Sequence, residues 1–199
     1  MKTKVTLTIA LVALSFGVFA QSFSLKAGFT QSDVIASPEP GNLFKPAQGF
    51  HAGIVINDIK LSDKIGLQPE FLYSRQGFKV GGVGSIGLHY LQAPVLVKLQ
   101  VHEKAALLVG PQVSYLANAR IGVLNDLFSV SYDNAFQKVD VSGIAGVELK
   151  VADGVAVGGR YQLGLNNINK DFSITNNLNF SDVFQLRNSG FQVYLSYGF

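Results

Sequence analysis

Apolar and polar residues alternate with a period of two along most of the chain, and the clearest run is the last one. Phe191, Val193, Leu195, Tyr197 and Phe199 share one parity, while Gln192, Tyr194, Ser196 and Gly198 share the other. Successive side chains of a strand point to opposite faces, so this run predicts a strand with one apolar face and one mixed polar face. The same rhythm predicts a strand at roughly 22–30, with Phe23, Leu25, Ala27 and Phe29 against Ser24, Lys26 and Gly28. It predicts others at about 48–58 (Phe50, Ala52, Ile54 and Ile56 against His51, Gly53 and Val55) and 65–76 (Ile65, Leu67, Pro69, Phe71 and Tyr73 against Gln68, Glu70 and Ser74). Further strands fall at about 88–100, 105–118, 138–150 and 155–165, and the terminal run makes eight.

The segments between these runs sort by parity. Residues 31–47, 77–87, 119–137 and 166–187 read as long connections rich in Pro, Gly, Asn or Asp, while 61–64, 101–104 and 151–154 read as tight turns. Long and short connections in strict alternation predict an up-and-down barrel with periplasmic termini, short periplasmic turns and longer external loops. A soluble sandwich, the other architecture open to eight alternating strands, has no reason to sort its loops this way. Pro69, Pro94 and Pro111 fall inside predicted strands, where each removes a ladder donor, and bulges are the expected accommodation.

Composition narrows the setting. Charged residues are 15% of the 199, against about 25% in ordinary soluble domains. The chain has no Cys, which excludes disulfides, thiolate metal sites and Cys nucleophiles. Lys2 and Lys4, the apolar stretch Val5–Leu14 and the small-x-small triplet Val18-Phe19-Ala20 predict a cleaved export signal over 1–20. Without Lys2 and Lys4 the 16 basic residues fall to 14 against 13 acidic ones, a formal charge of +1 that argues against a nucleic-acid partner. No later apolar run reaches helical spanning length, so a membrane-embedded chain needs a closed barrel to pair its backbone. The expected fold over 21–199 is therefore all-β, an eight-stranded antiparallel up-and-down transmembrane β-barrel of the outer membrane.

The ending resembles the closing strand of bacterial outer-membrane barrels, whose terminal Phe after alternating apolar residues is an assembly signal. That likeness assigns the signal to Phe191, Val193, Leu195, Tyr197 and Phe199, and implies the barrel assembly machinery as a partner. Tyr90-Leu91-Gln92-Ala93-Pro94-Val95-Leu96-Val97-Lys98 resembles a strand of the PorT-like outer-membrane barrel family common in Bacteroidetes, with Ala93 where a larger aliphatic is usual. Leu67–Phe78, Val109-Gly110-Pro111, Gly143–Glu148 and Arg160–Leu165 fit the same pattern in order. The resemblance implies a fold and a location; it does not imply one activity.

Inward parity places Lys26, Glu70, Lys98, Asp140, Glu148, Lys150 and Arg160 in a lumen narrow enough for side chains to fill. Opposite charges are expected to pair there, Glu70 with Lys98 and Glu148 with Arg160, as a structural network closing the barrel; a gated pore is the functional alternative. His51 and His89 are expected near the outer end of their strands, where a rim triad with Ser85 and a loop Asp is conceivable. No nucleophile motif supports it, and the three His lack metal-ligand spacing, so no catalytic residue, metal or cofactor is expected. Phe44, Phe128, Tyr132 and Phe136 are loop aromatics expected to pack on the rim, with a binding surface as the alternative. The reading is a barrel with a structural or binding role, in contact with outer-membrane lipid and an envelope or extracellular protein partner. The alternatives are a component of a secretion machine and an outer-membrane lipid-modifying enzyme.

Overall fold

The computed structural model describes residues 23–38, 41–57, 59–80, 84–123, 128–131, 136–169, 173–175, 178–179 and 185–198. Eight long strands carry the fold: β1 (Phe23–Ser37), β2 (Phe44–Ile56), β3 (Ile65–Val80), β4 (Gly84–His102), β5 (Ala105–Val123), β6 (Val139–Ala152), β7 (Val155–Gly164) and β8 (Gln185–Gly198). Each pairs antiparallel with the next. β8 pairs with β1 along its whole length, from Ser24–Gly198 to Ser37–Gln185, so the sheet closes and has no free edge. Short strands at Ile59–Lys60 and Phe128–Ser131 pair antiparallel with β3 and β5, and Ser173–Thr175 pairs with Leu178–Asn179 as a separate hairpin.

The predicted strands stop short of the observed ones. β1 runs to Ser37, β3 to Val80 and β5 to Val123, and β4 begins at Gly84. The connection predicted at 31–47 shrinks to 38–43, and that at 77–87 to 81–83, while the first turn lengthens to 57–64. Long and short connections therefore do not alternate in the first half of the barrel. The misreading has a physical cause. At the loop end of the barrel the faces exchange polarity, so polar residues and glycines occupy the outside of strands that continue.

Toward the termini, outward residues are apolar: Leu107, Val109, Val113 and Tyr115 on β5, or Ile65, Phe71 and Tyr73 on β3, all exposed. From Leu107 to Tyr115 the apolar face is roughly 21 Å tall, taking about 3.4 Å per residue and a tilt of about 40°, close to the apolar band of a membrane barrel. Inward residues at this level are Ser24, Lys26, Gln68, Glu70, Arg160 and Gln192, all buried. Beyond Tyr73 and Tyr115 the outward positions become Gln48, Arg75, Lys79 and Arg120, all exposed. The inward ones become Val34, Phe78, Leu88, Leu116 and Leu186, which form one apolar core.

The prolines do not create bulges where they were expected. Pro69–Val95 and Leu72–Gln92 hold one register across β3 and β4, as Pro94–Gln112 and Val97–Val109 do across β4 and β5. Pro69 sits where β2 runs out: its ladder with β3 ends at Val55–Glu70, and Ile59 and Lys60 take over opposite Leu67 and Gly66. Register shifts lie elsewhere, at Pro46/Phe50, His89/Tyr90, Gln100/His102 and Lys150/Ala152.

Candidate functional site

The lumen is the place where this chain concentrates its polar chemistry. Its centre is Glu70 on β3. Glu70 Oε1 accepts hydrogen bonds from Lys26 Nζ at 2.6 Å and Gln68 Nε2 at 2.8 Å, and Oε2 accepts one from Arg160 NH1 at 2.7 Å. The side chains of all three charged residues are 0% exposed. Arg160 Nε also donates to Gln192 Oε1. Lys26 Nζ lies 4.0 Å from the centre of the Tyr194 ring, in the range of a cation–π contact. Tyr194 Oη in turn donates to Glu148 Oε2 at 3.0 Å, and Glu148 Oε1 pairs with Lys98 Nζ at 2.9 Å. Gly158 makes room for this: a Cβ there would lie 2.3 Å from Tyr194 Cζ.

The expected pairs are thus exchanged. Glu70 pairs with Lys26 and Arg160 instead of Lys98, and Glu148 pairs with Lys98 instead of Arg160. Register explains both. Lys98 stands opposite Gly66, four residues from Glu70 along β3. Lys26 stands opposite Gly53 on β2, and Glu70 opposite Val55 on the same strand, so the two meet diagonally across a residue with no side chain. Lys98 and Glu148 likewise face Leu108 and Ala106 on the intervening β5, and meet over the small one. Asp140 is buried but has no cation among the described residues; Asn188 Nδ2 donates to its Oδ2 at 2.9 Å and lies 3.1 Å from Tyr90 Oη. Lys150, expected inside, is an exposed residue at the termini-side mouth, 2.9 Å from Asp153 across the turn. Lys150 holds the Asp153 carboxyl below its ordinary range.

His51 is buried at mid-height instead of near the outer end, with Nδ1 2.9 Å from Thr30 Oγ1 and its ring against Tyr194. His89 faces outward and contacts the Tyr73 hydroxyl. His51 is therefore enclosed in the lumen, and His89, four residues from Ser85 along β4, has the Tyr73 hydroxyl as its described partner. Among the described residues no group of three His, Asp or Glu side chains is placed to hold a metal.

Above the charged layer the lumen is sealed by apolar side chains and by chain crossing its mouth. Phe136 and Ile168 are buried in the loop-end core, and Phe136 bridges to Asn169. The Gln137 amide donates to the Ile168 carbonyl at 2.7 Å, and the Ile168 amide to the Leu186 carbonyl at 2.8 Å. Asparagines supply the remaining partners: Asn166 Oδ1 accepts from the Val141 amide at 2.6 Å and Asn167 Oδ1 from the Leu186 amide at 2.9 Å. Sequence reasoning noticed the Asn density of this connection but not its use as a backbone substitute. Phe44 packs edge-on against Phe78 with ring centres 5.4 Å apart, so Phe44 and Phe136 pack on the barrel; nothing is described of the Phe128 side chain, and Tyr132 lies outside the described residues. Phe191, Val193, Leu195 and Tyr197 of the proposed assembly signal face outward and are exposed; Phe199 and the export segment 1–20 lie outside the described residues.

Comparison with known proteins agrees with this architecture. Ail, the attachment invasion locus protein of Yersinia pestis, superposes with a TM-score of 0.51 at 15% identity, covering 91% of this chain and 100% of that one. Neisserial surface protein A superposes with a TM-score of 0.56 at 16% identity, covering 89% and 97%. These likenesses are of fold. No curated protein matches the chain. Residues 19–170 match the outer membrane protein beta-barrel domain, and with the closed eight-stranded wall and its apolar outer band this match identifies the chain as a member of that outer-membrane barrel family.

Proposed function

We propose that this protein is a closed, non-enzymatic outer-membrane barrel that stabilises the envelope and presents its loop end to an envelope or extracellular protein partner. The observation that carries the reading is the double closure of the lumen. The Lys26–Glu70–Arg160 cluster fills its middle, and the apolar layer around Tyr90, Leu116 and Ile168 fills its loop end, all of them 5% exposed or less. β5 continues past the apolar band to Val123 and β8 enters from Gln185, so one flank of each of the connections 124–138 and 165–184 lies beyond the band, which suits presentation to a partner. In this reading the termini end is periplasmic, residues 1–20 direct export, and the outward face of β8 is read by the assembly machinery. The PorT-like Bacteroidetes kinship rests on Tyr90–Lys98 and belongs to the same proposal.

The test is conductance of the refolded full-length barrel in planar bilayers, together with affinity capture by loop-grafted variants. The proposal expects no stable ion-conducting steps, and loss of any captured envelope protein when residues 124–138 or 165–184 are replaced by short turns. Steady conductance from the unmodified protein would overturn the closed-lumen reading.

A further inference from the structure

Just beyond the apolar band, Arg75 and Lys79 project from β3, Lys45 stands directly opposite Lys79 on β2, and Arg120 stands opposite Gly87 on the far side of β4. All four are exposed. Like charges placed directly across a strand pair repel and destabilise the sheet. Among the described residues no carboxylate pairs with Lys45, Arg75 or Lys79. Asp33, the acidic residue on neighbouring β1, accepts the Val34 amide at 2.8 Å.

Between these cations the wall has a floor without side chains. Gly77 on β3 pairs with Gly87 on β4. A Cβ at Gly77 would lie 2.0 Å from the Ile86 carbonyl oxygen, so nothing larger fits there. A Cβ at Gly87 would meet nothing closer than 3.9 Å, so the space above it is open. The register of β2 against β3 shifts between Pro46 and Phe50 beside it. The result is a cleft of about 170 Å³ lined by Gln48, Arg75, Lys79, Ser85 and Gly87. Its height selects the ligand. Arg75 is two residues beyond Tyr73, and the rings of Phe50 and Tyr73 lie 5.9 Å apart on the wall below. Cations over a glycine floor, above an apolar wall, match an anionic headgroup whose acyl chains run down the barrel.

We propose that the cleft over Gly87, lined by Arg75 and Lys79 with Lys45 and Arg120 in register on the adjoining strands, binds the phosphate of an outer-leaflet lipid headgroup. The site rests on the outer-membrane location and is independent of whether the lumen conducts. Arginine gives phosphate paired, charge-assisted hydrogen bonds, lysine a point charge, and bound phosphate relieves the Lys45–Lys79 repulsion.

The test uses the full-length barrel in a maltoside detergent, which contains no phosphate, titrated with diphosphoryl lipid A. The readout is the rise in the temperature at which the folded gel band is lost. The parent should saturate. R75Q/K79Q should bind about tenfold more weakly or worse, the weight of at least one charge-assisted hydrogen bond. Gly87→Val keeps every charge, has room for its Cβ, and should weaken binding similarly by filling the floor. K60Q/K64Q, at the opposite end of the barrel, should bind as the parent does. Parent-like binding by both R75Q/K79Q and Gly87→Val, or an equal loss in K60Q/K64Q, would overturn the site. An equal rise with inorganic phosphate alone would overturn the assignment to lipid.

Discussion

Removing the charge of Glu70 is the most informative single change to the lumen. Glu70→Gln keeps the shape and one carbonyl acceptor but leaves Lys26 and Arg160 as two buried cations whose side chains are 0% exposed. At contacts of 2.6 and 2.7 Å each attraction is about 6 kcal/mol for an effective dielectric of about 20. Much of that offsets the desolvation already incurred in burying the ions, and breaking a buried pair typically costs about 3–5 kcal/mol. A carboxylate shared by two cations belongs at the upper part of that range, so Glu70→Gln should cost about 4–5 kcal/mol. The double variant K26M/E70Q removes one stranded cation and should recover about half of the loss. The chain has no Trp, so unfolding is followed by far-ultraviolet circular dichroism in a guanidinium series, with the unheated folded gel band as a second probe. A Glu70→Gln barrel within about 1 kcal/mol of the parent, or a double variant less stable than the sum of its singles, would refute the idea that this cluster holds the lumen shut.

Other perturbations separate the layers. Lys98→Met breaks a pair whose side chains are 18% and 8% exposed, leaves Glu148 with the Tyr194 hydroxyl, and should cost about 1–3 kcal/mol in the same titration, below Glu70→Gln. Asp153→Asn removes an exposed turn pair and should leave the unfolding midpoint unchanged. Gly158→Val drives a side chain into the Tyr194 ring and should cost about 1–3 kcal/mol, with loss of the near-ultraviolet tyrosine signal. Ile168→Ala empties a fully buried position and should cost about 2–5 kcal/mol, with faster proteolysis near 165–169 and no gain of conductance, because the charged layer below is untouched.

The wall of the barrel was legible because one constraint, apolar outside and polar inside, acts at every second residue of the membrane-spanning part. Phe191–Tyr197 on β8 and Leu107–Tyr115 on β5 show its apolar outer face, while the inner face admits apolar residues such as Leu96, Leu108 and Ile144. The loop end was not legible because the constraint reverses there. Phe78, Leu88 and Leu186 point inward while Arg75, Lys79 and Arg120 point outward, and glycines such as Gly77 and Gly87 look like loop punctuation though they continue a ladder. Parity alone names Lys26, Glu70, Lys98, Asp140, Glu148 and Arg160 as lumen residues, and with them Lys150, which lies exposed at the mouth. It does not name their partners, because pairing depends on register between strands and on a small residue between them, Gly53 in one case and Ala106 in the other. The seal at 136–137 and 165–169 depends on contacts between segments far apart in sequence, for which no local pattern exists.

One continuous wall should meet lipid up to Tyr73 and water beyond it. Because the chain has no Cys, a single cysteine can be placed at each outward position of β3 and spin-labelled in reconstituted bilayers. Oxygen and a water-soluble nickel complex then report the surroundings of each label. Labels at Leu67, Phe71 and Tyr73 should collide mainly with oxygen, and labels at Arg75 and Lys79 mainly with the nickel complex. A lipid-like response at Lys79, or a water-like response at Phe71, would rule out that division of the wall.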